Sequence, residues 1–226
     1  MRNVLKESDT RISGHSISFI DIDETTLHTF AKVNVIKNGE IVKSLDNKEF
    51  NTHKLGDGET YNFDNFRDAK YFNQTSQPIE KTITRIKNII QSIKDNNKLE
   101  KVIFLTARSD FDDKEIFLDT FRNFGIDVDI PNVHVERSGN LTHIQKVADR
   151  KRFVILKYLQ SGLYTNVRML DDDKSNLKNF MELGKEINEG KFGILKNVQK
   201  QFPRVRKMSF YPLLVKDDGK IEKFSK

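Results

Sequence analysis

Short apolar runs of strand length alternate along this chain with segments whose apolar residues recur at helical spacing, the pattern of βαβ units and a parallel sheet. Residues 16–20, 102–105, 133–135 and 167–170 read as buried strands. Between them, Pro78 opens a helix with Ile83, Ile86, Ile89, Ile90 and Ile93 on one face. Residues 113–124 form a second helix with Phe117, Phe121 and Phe124, stopped by Gly125, and a third over about 147–161 ends at Gly162. A fourth helix lies near 175–187, and residues 192–195 read as a further edge strand.

After the first strand the pattern changes. Residues 31–51 carry two strand-like runs flanking Asn38 and Gly39, a strong hairpin turn pair. Residues 52–76 are polar and irregular, so 28–76 reads as an inserted β-rich flap or small cap. At the other end, residues 208–215 and 220–224 flank Asp217, Asp218 and Gly219 as a terminal hairpin within a basic C-terminal extension, 198–226. The expected architecture is α/β: one domain spanning 1–226, with a Rossmann-like core of parallel sheet flanked by helices.

Composition narrows the chemistry. The 226 residues include no cysteine, which removes disulfides, thiolate metal sites and a cysteine nucleophile, and suits a reducing cytoplasm. The five histidines lack the spacing of zinc ligands. Apolar runs of about five residues fall far short of the roughly 20 needed to cross a bilayer, and the first residues lack the apolar core of a signal peptide. A cytoplasmic protein with no membrane partner is therefore expected. Net charge is +6, and residues 185–226 hold eleven Lys or Arg against five Asp or Glu, a surplus equal to the whole net charge. Such a section could attract nucleic acid, or it could be a solvated lysine-rich surface.

The chemistry concentrates at strand ends. Asp21 and Asp23 follow the first strand two positions apart, so both can face one crevice, and two carboxylates in one crevice call for a cation. Thr106 ends the second strand, and Asp171, Asp172 and Asp173 end the fourth. A basic helix start containing Lys151 and Arg152 lies between them.

The segments Phe19-Ile20-Asp21-Ile22-Asp23-Glu24-Thr25, Phe104-Leu105-Thr106-Ala107-Arg108 and Leu170-Asp171-Asp172-Asp173-Lys174-Ser175-Asn176, with a lysine near 151, resemble in kind and order the four motifs of the haloacid dehalogenase (HAD) superfamily. The resemblance spans roughly residues 16–182, and the wording is similar to HAD-type hydrolases of large tailed phages, which would place the protein in the host cytoplasm. It implies that Asp21 attacks phosphorus and that Asp23 is the general acid/base. It also implies that Asp21, the Asp23 backbone carbonyl and Asp172 hold Mg²⁺, and that Thr106, Ala107 and Lys151 bind phosphate oxygens. A carboxylate about 4 Å from a phosphate meets roughly 4 kcal/mol of repulsion per charge pair at an effective dielectric of 20, which is the physical need for that cation.

Several positions stay open on sequence alone. Lys146, Arg152 and Lys157 compete with Lys151, and Asp171 is the second acid beside Asp172, while Asp173 suits a helix cap. Arg108 could clamp substrate or pair with an acid such as Asp110; His28 could face the site; Glu24 stands where glycine is common in the motif. The function implied is a Mg²⁺-dependent phosphomonoesterase acting on a phosphorylated small molecule, a nucleotide or a nucleic-acid end. The alternatives are a nucleic-acid or partner-binding module on an inactive HAD scaffold and phosphoryl transfer to an acceptor other than water.

Overall fold

The computed structural model describes residues 14–96 and 99–225. The first half of the chain gives β1 (His15–Ile20), β2 (Leu27–His28), β3 (Val33–Lys37), β4 (Glu40–Leu45), α1 (Asn47–Thr52), β5 (Glu59–Asn62), α2 (Ala69–Thr75), β6 (Gln77–Pro78) and α3 (Glu80–Asp95). The second half gives β7 (Lys101–Thr106), α4 (Lys114–Asn123), β8 (Val133–Arg137), α5 (Val147–Leu159), β9 (Tyr164–Asp171), α6 (Lys174–Asn188), α7 (Ile194–Gln201), β10 (Ser209–Val215) and β11 (Ile221–Lys223).

Six strands form the main sheet in the order β11-β10-β9-β1-β7-β8, parallel except for β11. Central β1 is buried on both faces, as a parallel strand between helical layers must be. Ile20 and Phe104 face the cluster built with Ile83, Ile86 and Ile90 of α3 and Phe117 and Phe121 of α4. Ile17 and Phe19 face the opposite cluster, with Ile155 of α5, Phe180 and Leu183 of α6 and Val198 of α7. The chain runs from β1 to β7 and β8 on one side, then returns to β9 and β10 on the other. That reversal opens a crevice at the carboxyl ends of β1 and β9, where open α/β sheets bind ligands.

The Asn38–Gly39 pair makes the expected tight turn, both residues with positive φ, 54° and 83°. Its strands β3 and β4 are joined by β5 in a separate three-stranded sheet over a small core of Val33, Val35 and Leu45. Residues 52–76 are more ordered than their polarity suggests: besides β5 they contain α2, capped by Asp68, which buries Ala69 and Phe72 in the main core. The helix expected from Pro78 begins at Glu80, because Pro78 pairs with Leu27 in a two-stranded ribbon.

Residues 192–195 are not an edge strand. Gly190, Phe192 and Gly193 all take positive φ, which breaks any extended run, and Ile194 and Val198 then bury one face of α7. The terminal hairpin of β10 and β11 is present, but β10 pairs in parallel with β9 and completes the main sheet rather than extending from it. Among the described residues no helix is long and apolar enough to cross a membrane.

Candidate active site

Three neighbouring strand ends converge in the crevice. The Asp21 N–H continues the ladder by donating to the Leu170 carbonyl at 2.9 Å, which sets Asp21 beside Asp171, the last residue of β9. Lys151 reaches in from α5 and places its ammonium 2.7 Å from Asp21 Oδ1 and 2.7 Å from Asp171 Oδ2, with only 2% of the residue exposed. The other candidates lie elsewhere: Arg152 pairs with Glu186, Lys157 with Glu136, and Lys146 is exposed at the start of α5.

Asp171 is saturated by its neighbours. Besides Lys151 it accepts from Asn176 Nδ2 at 3.0 and 3.2 Å and from the Asp173 N–H at 3.0 Å. Asp172 is held more lightly, through Thr25, whose hydroxyl donates to Asp172 Oδ1 and accepts from the Asp172 N–H, both at 3.0 Å. Asp173 caps α6 by accepting from the Ser175 N–H at 2.7 Å. Ligand atoms of Asp21, Asp171 and Asp172 all lie within 4.8 Å of one another.

Three carboxylates share one ammonium here, and the imbalance has electrostatic consequences. Burial, with the surrounding aspartates, pushes Asp21 well above the usual carboxylate range despite Lys151. Burial and Asp171 push Asp172 up to about 6. Burial works against the Lys151 ammonium too, but Asp171 and Asp21 outweigh it and hold the lysine charged. A cluster of hard oxygen donors carrying excess negative charge fits a hard divalent cation such as Mg²⁺.

Asp23 turns away from this cluster. Arg108 grips it as a fork, with Nε 3.0 and 3.1 Å from its two oxygens and Nη2 2.6 Å from Oδ1, and the Thr29 hydroxyl adds a bond of 2.6 Å. Burial opposes the charge, yet Arg108 and these hydrogen bonds hold Asp23 below the usual range. Arg108 itself is 4% exposed, donates from Nη1 to the Phe66 carbonyl at 3.0 Å, and lies under the rings of Phe66, Phe72 and Phe111. Of the two openings the sequence left for Arg108, pairing with an acid holds, but the acid is Asp23. Asp110 pairs instead with Arg137.

Thr106 ends β7 with its hydroxyl 3.4 Å from Asp23 Oδ2 and accepting from the Arg108 N–H at 3.1 Å. The exposed Ala107 follows on a loop that rests on a short turn at Ser138–Asn140. There the Ser138 hydroxyl donates to the Thr106 carbonyl at 2.8 Å and the Gly139 N–H to the Arg108 carbonyl at 3.1 Å. A Cβ on Gly139 would stand 2.4 Å from the Ala107 oxygen and 2.5 Å from the Arg108 carbonyl carbon, so only glycine fits that contact.

Glu24 takes φ 55°, the left-handed region that glycine adopts freely. Its carboxylate offsets the strain by bonding His28 Nδ1 at 2.8 Å and accepting from the Thr29 N–H at 3.1 Å, closing the loop after Asp23. His28 is thus a partner of Glu24.

Of the residues singled out from sequence, Asp21, Lys151, Asp171 and Asp172 meet at one point, and Asp23 and Thr106 meet at a second beside it. Ser138, Gly139 and the Thr25 hydroxyl join the site without being among those residues. Thr25 lies within the first motif and Asn176 within the fourth, whereas nothing local marks Ser138 or Gly139. Comparison with protein-family models, with curated proteins and with solved structures finds no match for this chain.

Proposed function

We propose that this protein is a Mg²⁺-dependent phosphohydrolase of HAD type, cleaving phosphate monoesters through an aspartyl-phosphate on Asp21. The observation that carries the reading is the position of Asp21: at the carboxyl end of the central strand, 2.7 Å from the Lys151 ammonium, within an acidic cluster that needs a further cation. Asp21 and Asp172 would hold the Mg²⁺ through their carboxylates, with the Asp23 carbonyl as the third protein ligand the resemblance implies. When bound, that ion neutralises charge on the phosphate being attacked.

The chain's own residues supply the rest. An Asp21 oxygen forms a bond to phosphorus as the ester P–O bond breaks, and Asp23 gives its proton to the departing alkoxide. Water then attacks phosphorus, losing its proton to Asp23, and inorganic phosphate leaves as the Asp21 carboxylate is restored. Thr106, the Ala107 backbone and Lys151 orient and neutralise the phosphate oxygens. The Arg108 fork suits Asp23 as a base and opposes it as an acid, so the second half-reaction is favoured at neutral pH and the first at lower pH. The insertion carrying the small sheet would cover the site and select the substrate. Four hydrogen bonds tie it to the loop after Thr106: the Phe66 carbonyl accepts from Arg108, the Arg67 carbonyl from the Asp112 N–H at 2.9 Å, the Asp110 carbonyl from Arg67 Nε at 3.3 Å, and Asp112 Oδ1 from the Ala69 N–H at 2.9 Å.

Phosphate release from an aryl phosphate tests the proposal. Activity should require Mg²⁺, vanish on chelation and be lost in Asp21→Asn; full activity in that variant would exclude Asp21 as nucleophile.

A further inference from the structure

Away from the acidic site, an open cleft of about 560 Å³ runs between α3 and β9, lined among others by Lys81, Arg85, Asn88, Glu100 and Arg168. Arg85 of α3 and Arg168 of β9 both line the cleft, near enough that burial together with the Arg168 charge lowers the Arg85 pKa. Among the described residues neither guanidinium has an acidic partner within 4.0 Å, whereas Arg122 and Arg152 do. Buried Arg85 Nε has no hydrogen-bond partner among the described residues. Two like charges brought together with an unsatisfied donor cost stability, and an anion between them removes both penalties. Among the described lining residues Glu100 is the only acid, against the three cations Lys81, Arg85 and Arg168.

The neighbouring surface indicates which anion. Tyr211 of β10 is the register partner of Arg168, so the two side chains leave the same face of the parallel sheet, and Tyr211 is 42% exposed. An exposed ring beside paired guanidiniums offers a stacking surface next to a phosphate fork. Position fits a polymer as well. Arg168 lies three residues before Asp171, about 10 Å along β9 at 3.3 Å per residue. At its other end, the segment leading into α3 touches the active-site loop, with the Ile79 N–H donating to the Thr26 carbonyl at 3.0 Å.

The geometry points to this cleft as a binding site for single-stranded nucleic acid, with a backbone phosphate between Arg85 and Arg168 and a base against Tyr211. The site does not depend on the phosphatase reading, because binding can be measured with chelator present and no turnover.

The test is fluorescence anisotropy of a labelled thymidine dodecamer with the full chain at low salt. Wild-type protein should bind with strong salt dependence. The Arg85→Ala/Arg168→Ala variant should bind about tenfold more weakly or worse, with its log–log salt slope reduced by about 0.7, the value for one phosphate contact on a single strand. Its Mg²⁺-dependent hydrolysis of a small aryl phosphate should be unchanged. Photocrosslinking of wild-type protein to an iodouracil-containing dodecamer, which needs no variant to fold, should label the peptide holding Tyr211. No dodecamer binding by wild-type protein, undiminished binding by the double variant, crosslinks confined to other surfaces, or binding to phosphatidylserine vesicles but not to the dodecamer would each overturn the inference.

Discussion

The Arg108 guanidinium holds the Asp23 carboxylate at two points, with Nη2 2.6 Å from one oxygen and Nε within 3.1 Å of both. In the proposed mechanism Asp23 acts first as an acid and then as a base, so this fork would set the pH at which each half-reaction runs.

Substrates with poor leaving groups need the Asp23 proton, and those with good ones do not. Hydrolysis of an alkyl phosphate should therefore decline with rising pH more steeply than hydrolysis of an aryl phosphate. Arg108→Gln should move that decline to higher pH, since Asp23 loses the partner that lowers its pKa. Parallel pH–rate profiles for the two substrates in wild-type protein would remove Asp23 from the acid role.

Lys151 lies between Asp21 and Asp171, and its removal leaves two buried carboxylates without their shared cation. Lys151→Ala should lower stability by about 3–5 kcal/mol, the cost typical of breaking a buried charge pair. At about 2–4 °C per kcal/mol for a chain of this size, thermal unfolding in chelator should show it as a large drop. A drop of a degree or less would mean that the aspartates are protonated at the pH of measurement.

Asp172 has the opposite sign. Its folded pKa of about 6 lies above its ordinary value of 3.8, so between those pH values the folded state binds more protons than the unfolded state. In the metal-free protein its contribution to stability accordingly falls as pH rises through that window. Asp172→Asn should then raise the metal-free melting temperature at pH 7 by a few degrees and weaken the stabilisation by Mg²⁺. In wild-type protein the Mg²⁺ shift should be larger at about pH 7 than at about pH 5, because protons compete for the same oxygens. Scanning fluorimetry reads both; equal Mg²⁺ shifts at the two pH values would count against a carboxylate-held ion.

Gly139→Ala should reduce turnover of small phosphate esters at least tenfold while the protein remains folded, because the new methyl group displaces the backbone of Ala107 and Arg108. Wild-type kinetics in that variant would show that the loop after Thr106 tolerates movement.

The strand ends were legible because buried parallel strands write themselves as apolar runs and any charge at their ends stands out. Asp21, Thr106 and Asp171 were found that way, and Asp173 was legible as a cap from its place before α6. Lys151 could only be ranked among several basic residues on one helix; its burial against Asp21 comes from how α5 crosses the sheet. The Arg108–Asp23 pair joins residues 85 positions apart, and no local periodicity encodes it. A four-residue apolar run such as 192–195 is ambiguous between strand and helix, and the positive φ of Phe192 and Gly193 is not encoded by apolar periodicity. α2 was missed because its polar sequence contributes only Ala69 and Phe72 to the core.

The central claim is the covalent role of Asp21, and trapping the acyl phosphate tests it most directly. Protein quenched during turnover of a phosphate ester with Mg²⁺ and reduced with borohydride should yield homoserine at position 21, found by peptide mapping and absent without substrate or in Asp172→Ala. Phosphate release accompanied by unmodified Asp21 under the same quench, or by modification at another carboxylate, would contradict the account.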